Sequence, residues 1–547
     1  MTNLRTITRT LAVVAGLSAS ALVVSACSGA SATPDATPTD WELTEVTPAP
    51  SGDIDSFTWS IYAEPFSLDY AYAFDYADNQ VLANVCESLL RLNPDYSLSP
   101  GLAEAAAQPD PNTWVYTIRD GVTFHDGTPL TAADVVASMS RHLDPAVGSF
   151  WYSSYQNVTS IEQTGDREVT VTLSAAGSQF NLAMGGAAGV VESAATLAAA
   201  GADYGNSSGG VNCTGPFSLS DWKSGESITL ERYDDYWDAD LKARAGEVEF
   251  VFQTDPTARV NALASGEVDG TWMVPAAAFP QLRGSDAGDV LFGLTTAVSS
   301  LIVSNLEGPL GDVRVRQALL MALDREGIVQ AAAGGVGEVT DVLTTESVWV
   351  GADPAAVETA FEDVDHYDHD VEAAKALVEE AGVAGEEIVI VTAPISGEFA
   401  VISQATAAAA ESIGLTARIE SVTPGAYTTL FSDPSAREGV DLFLTSWYLS
   451  SPDPLEMYAV LRTGEFSNYG GWNDPEYDAV VNEAMAIDDP AARSVQTAKA
   501  QQIANEQVPW LPLYTAPMSM FLGDRITGVA PSIAFMYYPW AATIGAS

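Results

Sequence analysis

Ser207 has the spacing of a hydrolase nucleophile. Residues 205–209 read Gly-Asn-Ser-Ser-Gly, which matches the G-x-S-x-G pattern. That pattern works at a sharp turn between a strand and a helix, which presents the serine at the top of a sheet. Here an alanine-rich helical stretch precedes the motif, and a segment typical of a strand follows it from Cys213. This order favours a glycine-rich loop over a nucleophile.

Histidine chemistry is equally limited, because the chain has only 4 histidines. His366 and His369 stand three residues apart among four aspartates, which could indicate a metal site. They lie at a predicted helix start, where acidic residues are favoured by the helix dipole, and no cysteine or third histidine is near. We therefore expect no bound metal, no cofactor and no enzymatic activity.

Cys27 points to a different chemistry, covalent attachment to lipid. Arg5 and Arg9 precede an uncharged run over 11–26, which is shorter than the ~20 residues of a spanning helix and has the form of a secretory signal. Residues 24–27, Val-Ser-Ala-Cys, resemble a bacterial lipobox, in which the thiol takes a diacylglyceryl group before the signal is cut. We expect residues 1–26 to be a signal peptide and Cys27 to be the lipidated first residue. An ordinary signal cut nearby and an uncleaved anchor are the alternatives.

Residues 27–55 have the composition of a tether. They are rich in Ser, Ala, Thr, Pro and Asp without apolar periodicity, which is typical of a flexible linker. Two acyl chains hold a protein stably on a bilayer. The folded part is therefore predicted on the extracellular face of the cell membrane.

Charge excludes one class of partner. The chain has 22 Lys and Arg against 73 Asp and Glu, a formal charge of −51. Such a surface repels phosphate backbones, so we expect no nucleic acid partner.

Two cysteines remain once Cys27 is assigned to lipid. Cys86 and Cys213 form an even pair in a protein expected outside the cell, where disulfides persist. We predict a disulfide between them, with two buried free thiols as the alternative.

Strand and helix patterns alternate along most of the chain, which predicts an α/β fold. Thr131 and Asp134 have the spacing of a capping box for a helix over 132–143, and Gly382 would end another. A hairpin is predicted over 217–233. The predicted strands are Phe57–Ile61, Thr113–Arg119, Glu168–Ser174, Glu247–Gln253, Glu387–Thr392 and Asp441–Ser446.

Aromatic residues are the main remaining candidates for a site. The chain has 12 Trp and 20 Tyr, several of them in short non-periodic clusters. Core packing is the default for any one ring, but open α/β sheets bind ligands beyond the carboxyl ends of their strands, and Trp447 lies at such an end. The aromatic candidates for ligand contact are Tyr62, Trp151, Tyr152, Trp272, Trp447 and Tyr448.

Five long motifs resemble those of a known protein family. The chain resembles the extracellular solute-binding proteins of ABC transporters, family 5, which includes dipeptide, oligopeptide and nickel binders. The resemblance runs from about Phe57 to Trp540 with the motifs in the family's order; in the family the second usually opens with Gly instead of Cys213, which favours the disulfide. The motifs are FHDGTPLTAADVVASM (124–139), CTGPFSLSDWKSGESITLERYDDYWD (213–238), VNALASGEVDG (260–270), VRVRQALLMALDREGIV (313–329) and GGWNDPEYDAVVNEA (470–484).

The resemblance implies a two-lobed fold of the periplasmic-binding-protein type, specifically type II in the large peptide-binder cluster, with an extra subdomain in the first lobe. The lobes close on a ligand between them. By that pattern the first lobe comprises residues 56–90, 213–295 and 510–547, the subdomain 91–212, and the second lobe 296–509.

The resemblance also implies a function. A monomeric receptor of this kind captures a small solute and delivers it to a membrane permease driven by ATPase subunits. A peptide is the first expectation for the solute and an oligosaccharide the second. A secreted hydrolase and a ligand sensor are alternatives of other classes.

The residue that would bind the solute's amine differs from that of the family's peptide binders. Peptide binders of the family carry an aspartate for the ligand's α-ammonium three residues after a strand-end tryptophan. Here that position is Ser450, and Asp453 falls on the acid of the family's Asp-Pro turn. A neutral hydroxyl cannot replace a carboxylate, because a buried ammonium without a counter-charge costs several kcal/mol. Glu64 is the predicted substitute from the opposite lobe.

Overall fold

The computed structural model describes residues 41–547, so the predicted signal peptide and Cys27 lie outside the described residues. A seven-stranded sheet forms the first lobe. Its central strand Ile54–Ile61 runs parallel to both of its neighbours, whereas the outer pairings are antiparallel. In sheet order the strands are Gly288–Gly293, Met518–Gly523, Gly270–Trp272, Ile54–Ile61, Ala245–Phe252, Ser227–Arg232 and Phe217–Lys223.

A six-stranded sheet forms the second lobe. Its strand Val298–Val303 is antiparallel to both neighbours, and the edge pair at the other side is parallel. In sheet order the strands are Glu338–Val339, Trp510–Thr515, Val298–Val303, Leu442–Trp447, Glu387–Thr392 and Thr416–Ser421.

A four-stranded antiparallel sheet forms the subdomain, within the range 91–212 predicted for it. Two further pairs of short strands lie outside the larger sheets, namely Leu90–Leu92 with Leu98–Pro100 and Ile526–Thr527 with Gly545–Ala546. In sheet order the subdomain strands are Ala103–Asp110, Thr113–Ile118, Glu168–Leu173 and Val158–Gln163.

Helices cover the sheets, and many begin where the sequence signals it. The capping box of Thr131 and Asp134 opens a helix, and Gly382 ends another at φ 74°, in the left-handed region. The α-helices are Tyr76–Leu82, Ala132–Arg141, Tyr152–Tyr155, Ser178–Ala183, Ala194–Ala200, Pro256–Ser265, Phe279–Arg283, Val313–Ala322, Arg325–Ala332, Pro354–Glu362, Val371–Ala381, Gly397–Ser412, Pro424–Ser432, Leu455–Ala459, Pro475–Met485 and Pro490–Gln507.

Cys86 and Cys213 are joined by a disulfide with an S–S distance of 2.05 Å, and both are buried. Cys86 lies shortly before the chain enters the subdomain, and Cys213 lies where it returns. Gly215 N–H donates to the Val85 carbonyl (2.8 Å) beside the bridge. The disulfide thus fastens the two crossings between subdomain and lobe.

Two predicted boundaries differ from the structure. The linker was predicted to reach residue 55, but Thr44 N–H donates to the Phe292 carbonyl (2.7 Å) and Thr47 N–H to the Val529 carbonyl (3.0 Å), so this part of the chain already packs on the first lobe. The predicted lobe boundary at residue 510 places Trp510–Thr515 in the first lobe, but this strand pairs with Val298–Val303 in the second sheet. The chain returns to the first sheet only at Met518.

Candidate ligand-binding cleft

The two lobes meet at loops that follow the carboxyl ends of their strands. The loop after Ile54–Ile61 reaches Phe74, and the segment after Leu442–Trp447 begins with Tyr448. The Tyr448 hydroxyl donates to the Phe74 carbonyl (3.0 Å) and lies 3.2 Å from the Tyr537 hydroxyl. These contacts cross from the second lobe to the first.

A second contact between the lobes lies beside the first. The Tyr96 hydroxyl donates to the Leu449 carbonyl. The Thr296 hydroxyl donates to the same carbonyl (3.1 Å), and Leu449 N–H donates back to that hydroxyl (3.2 Å). Tyr96, Thr296 and Leu449 are all buried, so this part of the junction is closed to water.

Tyr76 marks a more open part of the junction. Its ring lies 5.3 Å from the Tyr448 ring, and its hydroxyl is close enough to that of Ser446 for Ser446 to lower the pKa of the phenol. Ser446 is exposed, whereas Tyr76 is half-buried. The lobes therefore leave polar, partly accessible space between Tyr76 and the second sheet.

Glu398 lies at the second-lobe side of this space, in the first turn of Gly397–Ser412. It accepts hydrogen bonds from the hydroxyls of Ser299 (3.1 Å) and Tyr514 (2.5 Å). Ser299 is the cross-strand partner of Ser446, so their side chains are neighbours on one face of the sheet. The chain of contacts runs from Glu398 through these serines to Tyr76.

Asp75 lies at the first-lobe side as the N-cap of Tyr76–Leu82. Its carboxylate accepts from the Tyr62 hydroxyl (2.7 Å) and from Tyr76 N–H (2.8 Å). Burial raises the pKa of Asp75 and that of Glu398 above their ordinary values, because removal from water disfavours a charged carboxylate. Burial also raises the pKa of Tyr76, and the charges of Asp75 and Glu398 raise it further.

Three predicted ligand contacts lie at or near this cleft. Tyr62 is bound to Asp75, and Tyr448 joins the two lobes. Trp447 is half-buried at its strand end, with its ring 5.2 Å from that of Trp510.

Ser450 and Glu64 are both engaged within the protein. Ser450 donates its N–H and its hydroxyl to Glu456, each at 2.9 Å. Glu64 accepts from Trp222 Nε1 (2.9 Å) and from Gly225 N–H (3.0 Å) at the turn of the predicted hairpin. The Glu64 carboxylate is thus already paired with donors of its own lobe.

The contacts at the cleft do not include three of the predicted ligand contacts, Trp272, Trp151 and Tyr152. Trp272 is 1% exposed and stacks on Phe535 with centroids 4.6 Å apart, so this predicted ligand contact is a core residue. Trp151 is also buried, and its Nε1 donates to the Tyr70 carbonyl (2.9 Å). Tyr152 is 54% exposed. The clustering of aromatic residues in the sequence predicts a ligand site. Large rings that pack in a core form the same kind of cluster, so clustering alone does not separate the two roles.

Sequence reasoning missed Asp75, Tyr76 and Glu398. Asp75 and Glu398 each follow a predicted strand after a loop, at the start of a helix, which is the edge where α/β proteins bind ligands. That position is the signal that could have identified them.

The hydrolase motif lies on a loop. A single 3₁₀ turn, Gly201–Asp203, precedes it, and the strand Phe217–Lys223 is the next regular element after it. Ser207 therefore lacks the strand before and the helix after that a nucleophile elbow requires. His366 is exposed and bonds through Nδ1 to Asp341 (3.0 Å).

Two lobes that meet through strand-end loops around a polar, partly open junction have the architecture of a solute-binding protein. Residues 97–469 match the family model for bacterial extracellular solute-binding proteins, family 5. The chain belongs to this family, and the mixed α/β, two-lobed fold predicted from the resemblance is confirmed.

Relatives span most of the chain. A probable deoxycholate-binding periplasmic protein of Escherichia coli is 26% identical, covering 86% of this chain and 90% of its own. The dipeptide-binding protein DppE of Bacillus subtilis is 24% identical, covering 87% and 90%. The structure of DppA from Helicobacter pylori in complex with a peptide aligns with a TM-score of 0.80 at 19% identity, covering 90% of this chain and 98% of that one. No helix within residues 41–547 has the length and apolar character needed to cross a membrane.

Proposed function

We propose that this protein is a receptor that captures a peptide or a similar small solute between its lobes and delivers it to a membrane permease with ATPase subunits. Family membership and the polar cleft around Tyr76 support this. The observation that carries it is that Tyr448 and Tyr96 of opposite lobes make hydrogen bonds across the junction. Contacts of this kind exist only when the lobes meet.

Closure provides the mechanism. A ligand can shift the protein from an open to a closed form only by its differential affinity for the two forms. A solute that touches Tyr76 on one lobe and Ser446 on the other binds the closed form better. The permease would then recognise the closed, loaded form, and the receptor itself performs no chemistry.

The anchor is a separate part of the proposal. Cys27 would carry the lipid and residues 28–40 would complete the tether, holding the receptor on the extracellular face of the cell membrane. Cell fractionation of Cys27→Ala tests it: the variant should leave the membrane fraction of intact producing cells. Continued retention in that fraction would contradict lipidation at Cys27.

Two experiments decide the class of solute. Protein purified from its producing cell is denatured, and the released small molecules are identified by mass spectrometry. Calorimetric titration with a mixed di- to pentapeptide library and with a panel of oligosaccharides then measures affinity. We expect micromolar or tighter binding of peptides. Absence of any bound or binding solute would argue against the receptor.

An oligosaccharide is the second candidate. Trp447 keeps part of its indole accessible at the strand end, beside Tyr448, and sugar rings stack on such faces. Titration with oligosaccharides distinguishes this candidate from peptide. A hydrolase would instead be indicated by covalent labelling of Ser207 with a fluorophosphonate probe.

A further inference from the structure

The exposed aromatic side chains of residues 41–547 are concentrated in two loops. Five Phe and Tyr residues in this part of the chain are exposed, and four of them lie within 65–74 of the first lobe and 148–155 of the subdomain. Proteins seldom group exposed apolar side chains in this way unless a partner covers them. The four are Phe66, Tyr72, Phe150 and Tyr152, and the fifth is Phe466 of the second lobe.

The two loops are fastened side by side. Phe150 N–H donates to the Ala71 carbonyl (2.9 Å), and Trp151 Nε1 donates to the Tyr70 carbonyl (2.9 Å). The Phe74 and Phe150 rings stack with centroids 4.3 Å apart and planes 14° apart. The loops therefore present one continuous surface. We call it the aromatic rim, and it comprises Tyr72, Phe74, Phe150 and Tyr152.

The aromatic rim carries no exposed charge, although the chain is strongly acidic. The chain has 73 Asp and Glu, yet the segment 145–161 contains no charged residue and the segment 65–74 contains only Asp69. Asp69 is 2% exposed and forms an ion pair with Arg141. A partner can thus cover the aromatic rim without removing a free carboxylate from water, which would be strongly unfavourable.

The shape of the aromatic rim fits a protein better than a small solute. Pockets for small molecules enclose most of their ligand, so the rings that line them are themselves largely covered. Tyr152 is 54% exposed, and Phe150 and Tyr72 are each more than a third exposed, so these side chains project from the surface. Projecting aromatic residues with few charges around them are typical of the centre of a protein–protein interface.

The aromatic rim ends at the junction between the lobes. Phe74 contributes its ring to the rim, and its carbonyl accepts the hydrogen bond from the Tyr448 hydroxyl of the second lobe. Tyr448 reaches Phe74 only while the lobes meet. A partner that covers the rim therefore also contacts the edge of the junction, where the closed form differs from the open form.

We propose that the aromatic rim is the surface through which the closed receptor docks on an uncharged, apolar extracellular surface of its membrane permease. This inference rests on the proposed function, because the permease is the partner that must distinguish the closed form from the open form. Phe150 and Tyr152 are the anchors, and Phe74 supports the Phe150 ring by stacking on it. Tyr448 completes the edge of the surface on closure.

Photo-crosslinking in the producing cell tests the surface. In the full-length chain p-benzoylphenylalanine replaces Phe150 or Tyr152, and Phe466 in a control strain. Phe466 is 57% exposed, and its loop packs at the far end of the second sheet, where Gly470 lies against the Val303 carbonyl. Cells are irradiated and the cross-linked partners identified by mass spectrometry. We expect both rim positions to capture a subunit of the permease and the control position to capture none.

Serine variants separate docking from solute binding. Phe150→Ser and Tyr152→Ser should each weaken the affinity for the captured permease, once purified, about ten-fold or more, because truncation of a central aromatic anchor is costly. The amount of solute released from each purified variant on denaturation should equal that of the parent. Phe466→Ser should change neither quantity. Tyr152→Ser removes a mostly exposed ring, so it keeps the test decisive if Phe150→Ser does not fold.

The outcomes separate two failures. Cross-links from the rim only to lipid or to a second copy of the chain, or capture of no permease subunit, would overturn the docking surface. Loss of bound solute in Tyr152→Ser would also overturn it, because the rim would then belong to the ligand site. Each of these results leaves the receptor function standing. A parent protein that releases no solute and binds none in titration would overturn the receptor function itself.

Discussion

The Tyr448 hydroxyl donates to the Phe74 carbonyl at 3.0 Å, although the two residues belong to different lobes. The same hydroxyl lies 3.2 Å from that of Tyr537 in the first lobe. One side chain thus supplies two polar contacts that vanish when the lobes separate. Removing this hydroxyl should therefore shift the protein toward the open form and leave the stability of each lobe nearly unchanged.

Tyr448→Phe should therefore favour the open form. Loss of two hydrogen bonds of about 1 kcal/mol each would shift the open-closed equilibrium about ten-fold or more. Small-angle scattering of the ligand-free protein should show a larger radius of gyration. Tyr427→Phe is the matched control, because Tyr427 donates to the Leu444 carbonyl (2.6 Å) within the second lobe. An unchanged radius in Tyr448→Phe would contradict the prediction.

The Cys86–Cys213 bridge should be present in the secreted protein and should stabilise it. It links residues 127 positions apart, and a chain-entropy model gives up to about 5 kcal/mol for such a loop. Denatured, non-reduced mature protein should give no labelling at these two cysteines with a thiol reagent. Cys86→Ser with Cys213→Ser should unfold at lower urea concentration. Two labelled thiols at these positions would exclude the bridge.

Asp453 and Arg493 form a buried ion pair that should be costly to break. Arg493 Nε and Nη2 both lie 2.6 Å from Asp453 Oδ2, and both side chains are less than a tenth exposed. Asp453→Asn leaves the guanidinium buried without its counter-charge, so we expect a loss of about 3–5 kcal/mol in unfolding free energy.

An exposed pair provides the comparison. Arg418 and Glu420 are about half exposed at 2.8 Å, and such pairs contribute about 0–1 kcal/mol. Urea titration of Asp453→Asn and Glu420→Gln measures both. Equal small losses of unfolding free energy in the two variants would show that burial does not make the Asp453–Arg493 pair more costly to break.

Local signals were sufficient for much of the fold. The strand Glu387–Thr392 was predicted with its observed bounds, because a short run of β-branched residues flanked by polar turns has few alternatives. Gly382 marks its helix end since few other residues adopt its left-handed conformation readily. These features depend on neighbours in sequence alone.

Tertiary arrangement set the limits of prediction. Trp510–Thr515 and Met518–Gly523 are consecutive apolar strands, and nothing in either indicates that they belong to different sheets. Asp75 and Glu398 lie far apart in sequence and are related only by the packing of one lobe on the other.

Two buried histidines make stability depend on pH. Burial lowers the pKa of His142 to about 3 and that of His125 to about 4. His142 is 5% exposed, and its Nδ1 lies 2.7 Å from the Ser149 hydroxyl. Above about pH 7.5 both histidines are neutral in the folded and the unfolded chain and add no pH dependence.

Below pH 6.5 the unfolded chain takes up protons at these histidines while the folded chain does not. Stability therefore falls as pH falls, until the folded pKa is reached. Between pH 6.5 and 5 each histidine should contribute a loss of about 1.6 kcal/mol, because the slope rises from about half of 1.4 kcal/mol per pH unit at pH 6.5 to nearly its full value at pH 5. The carboxylates of Asp75 and Glu398, whose pKa values are raised, act in the opposite direction.

The difference between variant and parent isolates the histidine contribution. His142→Gln cannot take up a proton, so its unfolding free energy should fall about 1.6 kcal/mol less than that of the parent between pH 6.5 and 5. The exposed His369, changed to Gln, serves as the control and should follow the parent. Urea unfolding at half-unit intervals of pH measures all three proteins. A parallel decline in His142→Gln and the parent would mean that His142 is protonated in the folded protein, because only then would its charge not differ between the two states.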